Sequence, residues 1–466
     1  MRRKAGIAIV TVTAVLAMVS GYAWADAHGH VPGVLTTEPA ELPPAPFLAH
    51  APVNAAVSTD QFWPVGVDAP LPAASAVQEL AQELRADPRT GSSTNVAVVD
   101  VLTGDVLADV DGGATQVPAS TTKTLTAVAA LAALGPDFTT RTTVTHADGR
   151  LTLIAGGDMM LAAGMGHGGE RDEANGWAGM GDLAAQVVQA LGAETDVEVV
   201  VDDAEFPGPL INAEWPSYAV RRGYVAGVSG LAVDIARVED ELYAQRHRDP
   251  SLSAGDDFAR ALTKAGLDVT DVRRGTNPGS ATEVATVESA PLSLVVEHLI
   301  HQSDNTIAEN LGRVLARETD RPATPTGAAE ATIATLDELG VDTEGLLLYD
   351  SAGFSIRNRI SPFHLTQTMR AALADPGARG LLDYLPVAGA EGTVEERFEG
   401  TDVAGVMRAK TGSLTGVTSL AGIISTAEGR LLTFAILADG MPYGQDRPRD
   451  AFDDFLLALT QCGCDE

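Results

Sequence analysis

The sequence predicts an α+β fold built on one antiparallel sheet whose strands come from both ends of the chain. Two observations carry this expectation. A Val-rich hairpin near the N-terminal side, Asn95 to Leu102 and Val106 to Val110 around Thr103-Gly104-Asp105, has the composition and turn chemistry of paired strands. Three strand-like runs, Gly405–Ala409, Val417–Ser425 and Leu431–Leu437, close the chain, and helical patterns fill the stretch between. A third feature is a block of mixed character, from about 139 to 286, that interrupts this plan.

The chain has 466 residues, too many for a single simple core. Arg2, Arg3 and Lys4 precede an apolar run from Ala5 to about Val19, and Ala23-Trp24-Ala25 supplies the small-x-small pattern of a processing site, so residues 1–25 read as an export signal. Left uncleaved, the same run is about long enough to anchor the chain in a membrane. Residues 26–72 are rich in Pro and Ala, as in Leu42-Pro43-Pro44-Ala45-Pro46, and read as a tether. Ser75 and Gln78 have capping-box spacing ahead of a helix that places Val77, Leu80, Ala81 and Leu84 on one face and ends at Asp87-Pro88.

After the hairpin, Pro118-Ala119-Ser120 opens a helix that runs to about Leu134, where Gly135-Pro136 stops it. The block 139–286 combines strand-like pieces (Thr140–Thr145, Leu151–Ala155, Val197–Asp202) with helices (Asp182–Leu191, Ala254–Ala265) and a Gly-rich loop at 163–169. It reads as one or two subdomains inserted between 73–138 and 287–466. Helices then cover Leu292–His301, Asn305–Ala316 and about Gly327–Leu339, and a last one covers Asp450–Leu459.

The formal net charge is −32. Such a surface repels nucleic acid and anionic lipid, which excludes nucleic acid as a partner; beyond that it signifies solubility. Two cysteines, Cys462 and Cys464, both sit in the C-terminal tail, so a disulfide framework is excluded.

Three short motifs carry chemistry: Ser120-Thr121-Thr122-Lys123, Ser303-Asp304-Asn305 and Lys410-Thr411-Gly412. Each alone is weak, since an exposed helix pair, a helix cap and a turn account for them separately. All three in this order, each on the element its role needs, form a known set. A serine hydroxyl needs a base. Residues three apart on a helix share a face, which puts Lys123 beside Ser120. Lys123 is a base only when partly neutral, through burial near another cation, for which Lys410 is the candidate. The Ser120 amide at a helix N-terminus is one half of an oxyanion hole, and the Ser413 amide is the candidate for the other. Ser303 can pass a proton to the leaving amine, and Asn305 can orient Lys123 and bind a substrate amide. Gly412 leaves room for a substrate backbone along the strand edge. Lys410, with the Thr411 and Ser413 hydroxyls, suits a terminal carboxylate. No His/Asp/Glu cluster near the motifs has metal-ligand spacing, so a serine route without metal or other cofactor is expected. All three motifs lie outside 139–286, and that block is expected to shape substrate choice and leave the acylation chemistry to the rest.

The triple, together with further stretches, resembles the class C low-molecular-mass penicillin-binding proteins of penicillin-binding protein 4 type, the D-Ala-D-Ala carboxypeptidase/endopeptidase family. Those stretches are Gly135-Pro136-Asp137-Phe138, Gly156-Gly157-Asp158, Trp215-Pro216, Val233-Asp234, the run Asp350-Ser351-Ala352-Gly353-Phe354-Ser355 with Asn358-Arg359 and Pro362, Leu385 to Gly389 with Gly392-Thr393, and Arg408 to Leu414. The likeness extends from about residue 76 to 460. About 180 residues separate Ser120 from Ser303, many more than simple β-lactamases need, as in this family with its large insertion. The resemblance implies a serine β-lactamase/transpeptidase-like domain, an acyl-enzyme on Ser120, peptidoglycan stem peptides as substrates and β-lactams as inhibitors. After Trp-Pro the family often carries an acidic residue linked to the substrate's diaminopimelate side chain, whereas here Ser217-Tyr218-Ala219 follow.

Two other readings compete. A β-lactamase shares the motifs but needs a water-activating base, and Glu309 lies on the helix itself. A non-catalytic β-lactam-binding wall protein would keep the pocket without turnover. His298 and His301 read as helix surface, and Arg357 and Arg359 as either substrate-carboxylate or ion-pair residues.

Overall fold

Strands from the two ends of the chain pair with one another. The computed structural model describes residues 68–462 except 92, 193–195, 242 and 442–445, together with Ser20 and Tyr22. Its main sheet has five strands in the order β10-β11-β12-β1-β2: Met407–Leu414 (β10), Val417–Ser425 (β11), Leu431–Ala438 (β12), Thr94–Asp100 (β1) and Val106–Val110 (β2). All pairings are antiparallel, with Val96 opposite Ile436 and Lys410 opposite Ala421. The fold is therefore the α+β sheet read from the sequence. β1, β11 and β12 are buried along their whole length, so their burial does not alternate from residue to residue.

Helices cover both faces. Ala74–Ala86 and Asp446–Gln461 pack Val77, Ala81, Phe452 and Leu456 against Val96, Val98, Phe434 and Ile436. Burying each such side chain contributes about 1.5–3 kcal/mol. Pro362–Ala374 lies against β12 and β1, and Thr122–Leu134 packs beside it. Thr122–Leu134 is buried from Thr122 to Leu131, since Leu292–His301, Asn305–Glu318 and Pro325–Glu338 also surround it. A helix apolar on all sides needs such an enclosure. The capping box expected from Ser75 and Gln78 does not form. The helix begins a residue earlier, with Ala73 at its N-cap, and the Gln78 amide instead bonds both backbone groups of Asp109 on the edge strand β2, at 3.0 and 2.8 Å.

A second sheet draws all its strands from residues 141–288, in the order β8-β6-β4-β3-β9: Arg141–Ala147 (β3), Arg150–Ile154 (β4), Asp196–Asp202 (β6), Asp268–Arg274 (β8) and Thr282–Glu288 (β9). β4, β6 and β8 are parallel, joined through the helices Met180–Leu191 and Pro250–Lys264 that cover one face. Asp158–Leu161 (β5) and Leu231–Val233 (β7) form a small separate pair.

Among the described residues no helix is long and apolar enough to cross a membrane. Apart from Ser20 and Tyr22, the segment read as an export signal lies outside the described residues, as do the tether up to residue 67 and Cys464. Cys462 packs, partly buried, against the main core.

Candidate active site

The three motifs meet at one end of the buried helix. Ser120 does not sit on the first α-helical turn, as the sequence suggested. It lies in a 3-10 turn, Ala119–Thr121, that runs into Thr122–Leu134. Ala119 has φ +50°, a left-handed conformation that costs a non-glycine residue about 1–2 kcal/mol. Two neighbours hold it there. A Cβ on Gly353 would lie 1.8 Å from the Ala119 carbonyl oxygen, and one on Gly412 would meet Ser419 Oγ, the Pro118 carbonyl and the Ser120 nitrogen at 2.1, 2.8 and 3.0 Å. The absence of a side chain on Gly412 thus lets strand β10 press on the serine turn.

Lys123 Nζ is fully buried and lies 3.0 Å from Ser120 Oγ, 2.7 Å from Asn305 Oδ1 and 2.7 Å from the Ala352 carbonyl. A neutral amine has two N–H donors and one lone pair. The two carbonyl oxygens take both hydrogens, which turns the lone pair to the serine hydroxyl. The ammonium form donates to all three, so a proton can pass between Ser120 and Lys123 without rearrangement. Burial pushes Lys123 down to about 7, against the pull of the Asp350 and Asp304 carboxylates.

Each of those two oxygens is itself held. Asp350 accepts from Trp215 Nε1 (2.8 Å), from the amides of Gly353 (2.7 Å), Phe354 (2.9 Å) and Ser355 (2.7 Å), and from Asn358 Nδ2 (2.9 Å). These bonds fix the loop that carries the Ala352 carbonyl. Asn305 Nδ2 donates to the Tyr224 carbonyl at 3.0 Å, which turns Oδ1 toward the lysine. Tyr224 belongs to the 139–286 block, so the block touches the proton-transfer groups through its backbone. Sequence reasoning left it out of the chemistry because a main-chain carbonyl carries no residue signature.

Ser303 has φ +52° and accepts from Lys410 Nζ at 2.9 Å; the same ammonium reaches the Thr411 carbonyl at 3.1 Å. Asp304 caps the following helix through the amides of Thr306 and Ile307. Burial opposes its ionisation, but the charges of Arg246 and His298 and the Ile307 amide hold it below the usual carboxylate range. Lys410 is also fully buried, and burial followed by the Lys123 charge lowers it well below an ordinary lysine. Lys410 is not among the charges that shift Lys123, whose low pKa comes from burial.

β10 is an edge strand. The Ala409 amide points outward, to the Pro386 carbonyl at 3.0 Å, and backbone groups alternate along a strand. The Ser413 amide therefore faces the same outer edge, one residue beyond Gly412, whose Cβ position lies 3.0 Å from the Ser120 nitrogen. Ser413 Oγ is buried without a hydrogen-bond partner, whereas Thr411 Oγ1 donates to Thr393 Oγ1 at 2.9 Å. Thr393, from the Gly392-Thr393 stretch, thus borders the site.

Other candidates fall elsewhere. Glu309 is buried behind the site, where it accepts from the Ser351 amide at 2.9 Å and faces Arg313 at 3.6 Å. Arg357 pairs with Glu214 at 2.7 Å and stacks on Tyr349, while Arg359 folds back onto the Ile356 and Asn358 carbonyls. His298 and His301 are half-buried, not on open helix surface. Burial lowers both, and with Arg408 and Lys410 pushes His301 down to about 4. No group of three or more metal-ligating side chains occurs among the described residues.

The model of the D-Ala-D-Ala carboxypeptidase 3 (S13) family matches residues 76–248 and 236–461. A carboxypeptidase of Mycobacterium tuberculosis is 36% identical over 94% of this chain and 92% of its own. A D-alanyl-D-alanine carboxypeptidase of Actinomadura is 27% identical over 75% of this chain and 78% of its own. Among solved structures, penicillin-binding protein 4 of Haemophilus influenzae superposes with a TM-score of 0.68 at 20% identity, covering 81% of this chain and 98% of that one, a likeness of fold.

Proposed function

The chain belongs to the D-Ala-D-Ala carboxypeptidase 3 (S13) family, and from that premise we propose that it is a penicillin-sensitive serine peptidase acting on peptidoglycan stem peptides through an acyl-enzyme on Ser120. The observation that carries the reading is the buried Lys123 Nζ, 2.7 Å from each of two carbonyl oxygens and 3.0 Å from Ser120 Oγ. Neutral Lys123 takes the Ser120 proton as Oγ attacks the carbonyl between the two D-alanines. The Ser120 and Ser413 amides receive the oxyanion. Lys123 gives that proton up by way of Ser303, which is bonded to Lys410, to the leaving amine, so D-Ala departs and Lys123 is neutral again. Water then repeats the sequence on the ester. The substrate chain adds to the open edge of β10 as an extra strand, with its terminal carboxylate toward Lys410, Thr411 and Ser413. An arriving carboxylate favours the charged form of Lys410.

Glu309, turned to Ser351 and Arg313, does not serve as a water-activating base, which separates this site from a class A β-lactamase. The purified protein is expected to release D-Ala from a stem pentapeptide and to lose that activity on reaction with penicillin. Dialysis against a chelator should leave the rate unchanged. Failure to release D-Ala while penicillin still labels the protein would make it a non-catalytic β-lactam binder, and activity lost to the chelator and restored by zinc would reject the serine route.

The two roles considered for Lys410 now predict separate results for Lys410→Gln. As the carboxylate group, Lys410 gives free substrates an advantage in kcat/KM over C-terminally amidated ones, and the variant should bring the two together. Because Lys123 owes its low pKa to burial, the acid limb of the pH–rate profile should stay in place. A profile that moves upward in pH, with both substrates falling equally, would instead make Lys410 the group that keeps Lys123 neutral.

Two further assignments belong to the same reading. Residues 73–138 and 287–466 form the penicillin-binding domain, with 139–286 inserted. The basic and apolar start of the chain marks it for export to the wall space where its substrate lies.

A further inference from the structure

Asn305 can orient Lys123 only if its amide cannot turn over. Its two ends have nearly the same shape and opposite hydrogen-bonding character, so a neighbour must distinguish them. That neighbour is the Tyr224 carbonyl, 3.0 Å from Nδ2. Two residues on, the Ala226 amide donates to Thr306 Oγ1 at 2.9 Å, so residues 223–226 run alongside the Ser303–Thr306 turn.

The Gly223–Tyr224 turn is fixed from behind. Arg246 donates from Nε and Nη2 to the Gly223 carbonyl, at 3.2 and 3.0 Å, and from Nη1 to the Ile235 carbonyl at 2.9 Å. Gly223 has φ +69°, and a Cβ there would lie 2.2–2.3 Å from the carbonyl oxygens of Ala244 and Tyr243. The turn is thus seated on the segment that carries Arg246. Asp234, Ile235 and Ala236 all have positive φ, 45°, 55° and 58°, three consecutive left-handed residues that persist only where their surroundings over-determine them. The guanidinium joins this strained turn to the Gly223 turn.

We propose that Arg246 is a positioning residue for the acylation step: it holds the Tyr224 carbonyl against Asn305, and so keeps the Asn305 oxygen on Lys123. This rests on the roles proposed above for Asn305 and Lys123. The groups charged or polar around Lys123 are Ser120, Asn305, the Ala352 carbonyl, Asp350, Asp304 and Lys410. Around Arg246 they are Asp304, Arg237 and Asp234.

The test is the second-order rate of penicillin acylation of the full chain, measured against pH for Arg246→Met, Asn305→Ala and the double variant. Arg246→Met is expected to lower the plateau rate about tenfold to a hundredfold, the cost of a small misplacement. It should also move the acid limb to lower pH, because a turned amide no longer stabilises the lysine ammonium. In the Asn305→Ala background the same change should cost less than about twofold, since both act through one group. Equal losses in both backgrounds with an unmoved acid limb would overturn the inference and leave Arg246 a structural residue. If Asn305→Ala acylates at the parent rate, the roles of Asn305 and Lys123 fail first. Should Arg246→Met lose its cooperative thermal transition, Thr306→Val, which frees the Ala226 amide, is measured in the same way. It should show the same limb shift at smaller size, and no shift would count against the proposal.

Discussion

Replacing Ser120 with alanine is expected to remove covalent labelling by penicillin completely and to lower D-Ala release by about 10³-fold or more. One hydroxyl serves both reactions, because a β-lactam presents its acyl carbon to the same Oγ. In serine peptidases removal of the nucleophile leaves only what binding and the oxyanion donors supply. Ser120 Oγ lies 3.0 Å from Lys123 Nζ. The change deletes one oxygen from a buried turn whose backbone is held by Gly353 and Gly412, so the variant should fold as the parent does. Mass spectrometry after incubation with penicillin reads the result. An adduct on the Ser120→Ala protein would place the nucleophile on another residue.

The second large effect concerns Lys123. With its pKa near 7, the base is protonated in acid and free in alkali, so the acylation rate should rise through about pH 7 and level above it. Lys123→Met should lower the rate by about 10²–10⁴-fold, the span for a positioned proton-transfer group. It should also raise the melting temperature by about a few degrees, since a buried amine gives way to an apolar chain of similar length. The sign follows from linkage. The unfolded lysine keeps its proton up to about pH 10.4, whereas the folded one releases it near 7. The parent's stability therefore rises with pH across that window, and the variant's thermal advantage should be largest in acid and shrink toward alkali. A flat rate profile between pH 6 and 8, or a variant that melts lower than the parent at every pH, would remove Lys123 from the role of buried base.

What the sequence disclosed about this molecule depends on which groups do the work. Ser120, Lys123, Ser303, Asn305 and Lys410 were legible because side chains at fixed spacings carry their chemistry, and the structure brings them together. The Ala352 and Tyr224 carbonyls were not, because any residue supplies one. Lys410 was read as the cation that lowers Lys123, but the degree of burial that decides the matter is a property of the packed fold. The main sheet was legible because its strands are apolar runs between turn residues. β8 and β9 were missed: Asp268–Arg274 and Thr282–Glu288 are polar and largely open to solvent, as strands at a sheet's edge commonly are. Pro362–Ala374 begins at a Ser361 cap with proline in its first turn, a start signal that could have found it.

The two borders of the main sheet are treated in opposite ways. The outer border of β2 is occupied by the Gln78 amide, which bonds both backbone groups of Asp109. The outer border of β10 stays available at Thr411 and Ser413. An uncovered border takes any extended chain, including the border of another copy, and pairing of that kind is the first step of aggregation. The strand that carries Lys410 therefore has a border with which a second extended chain can pair. Its protection is colloidal: with a formal charge of −32, copies repel before their borders meet, while a short stem peptide, with far less charge to oppose, can still approach and dock. The acidity that named no partner in the sequence thus keeps the substrate's place from being taken by the enzyme itself.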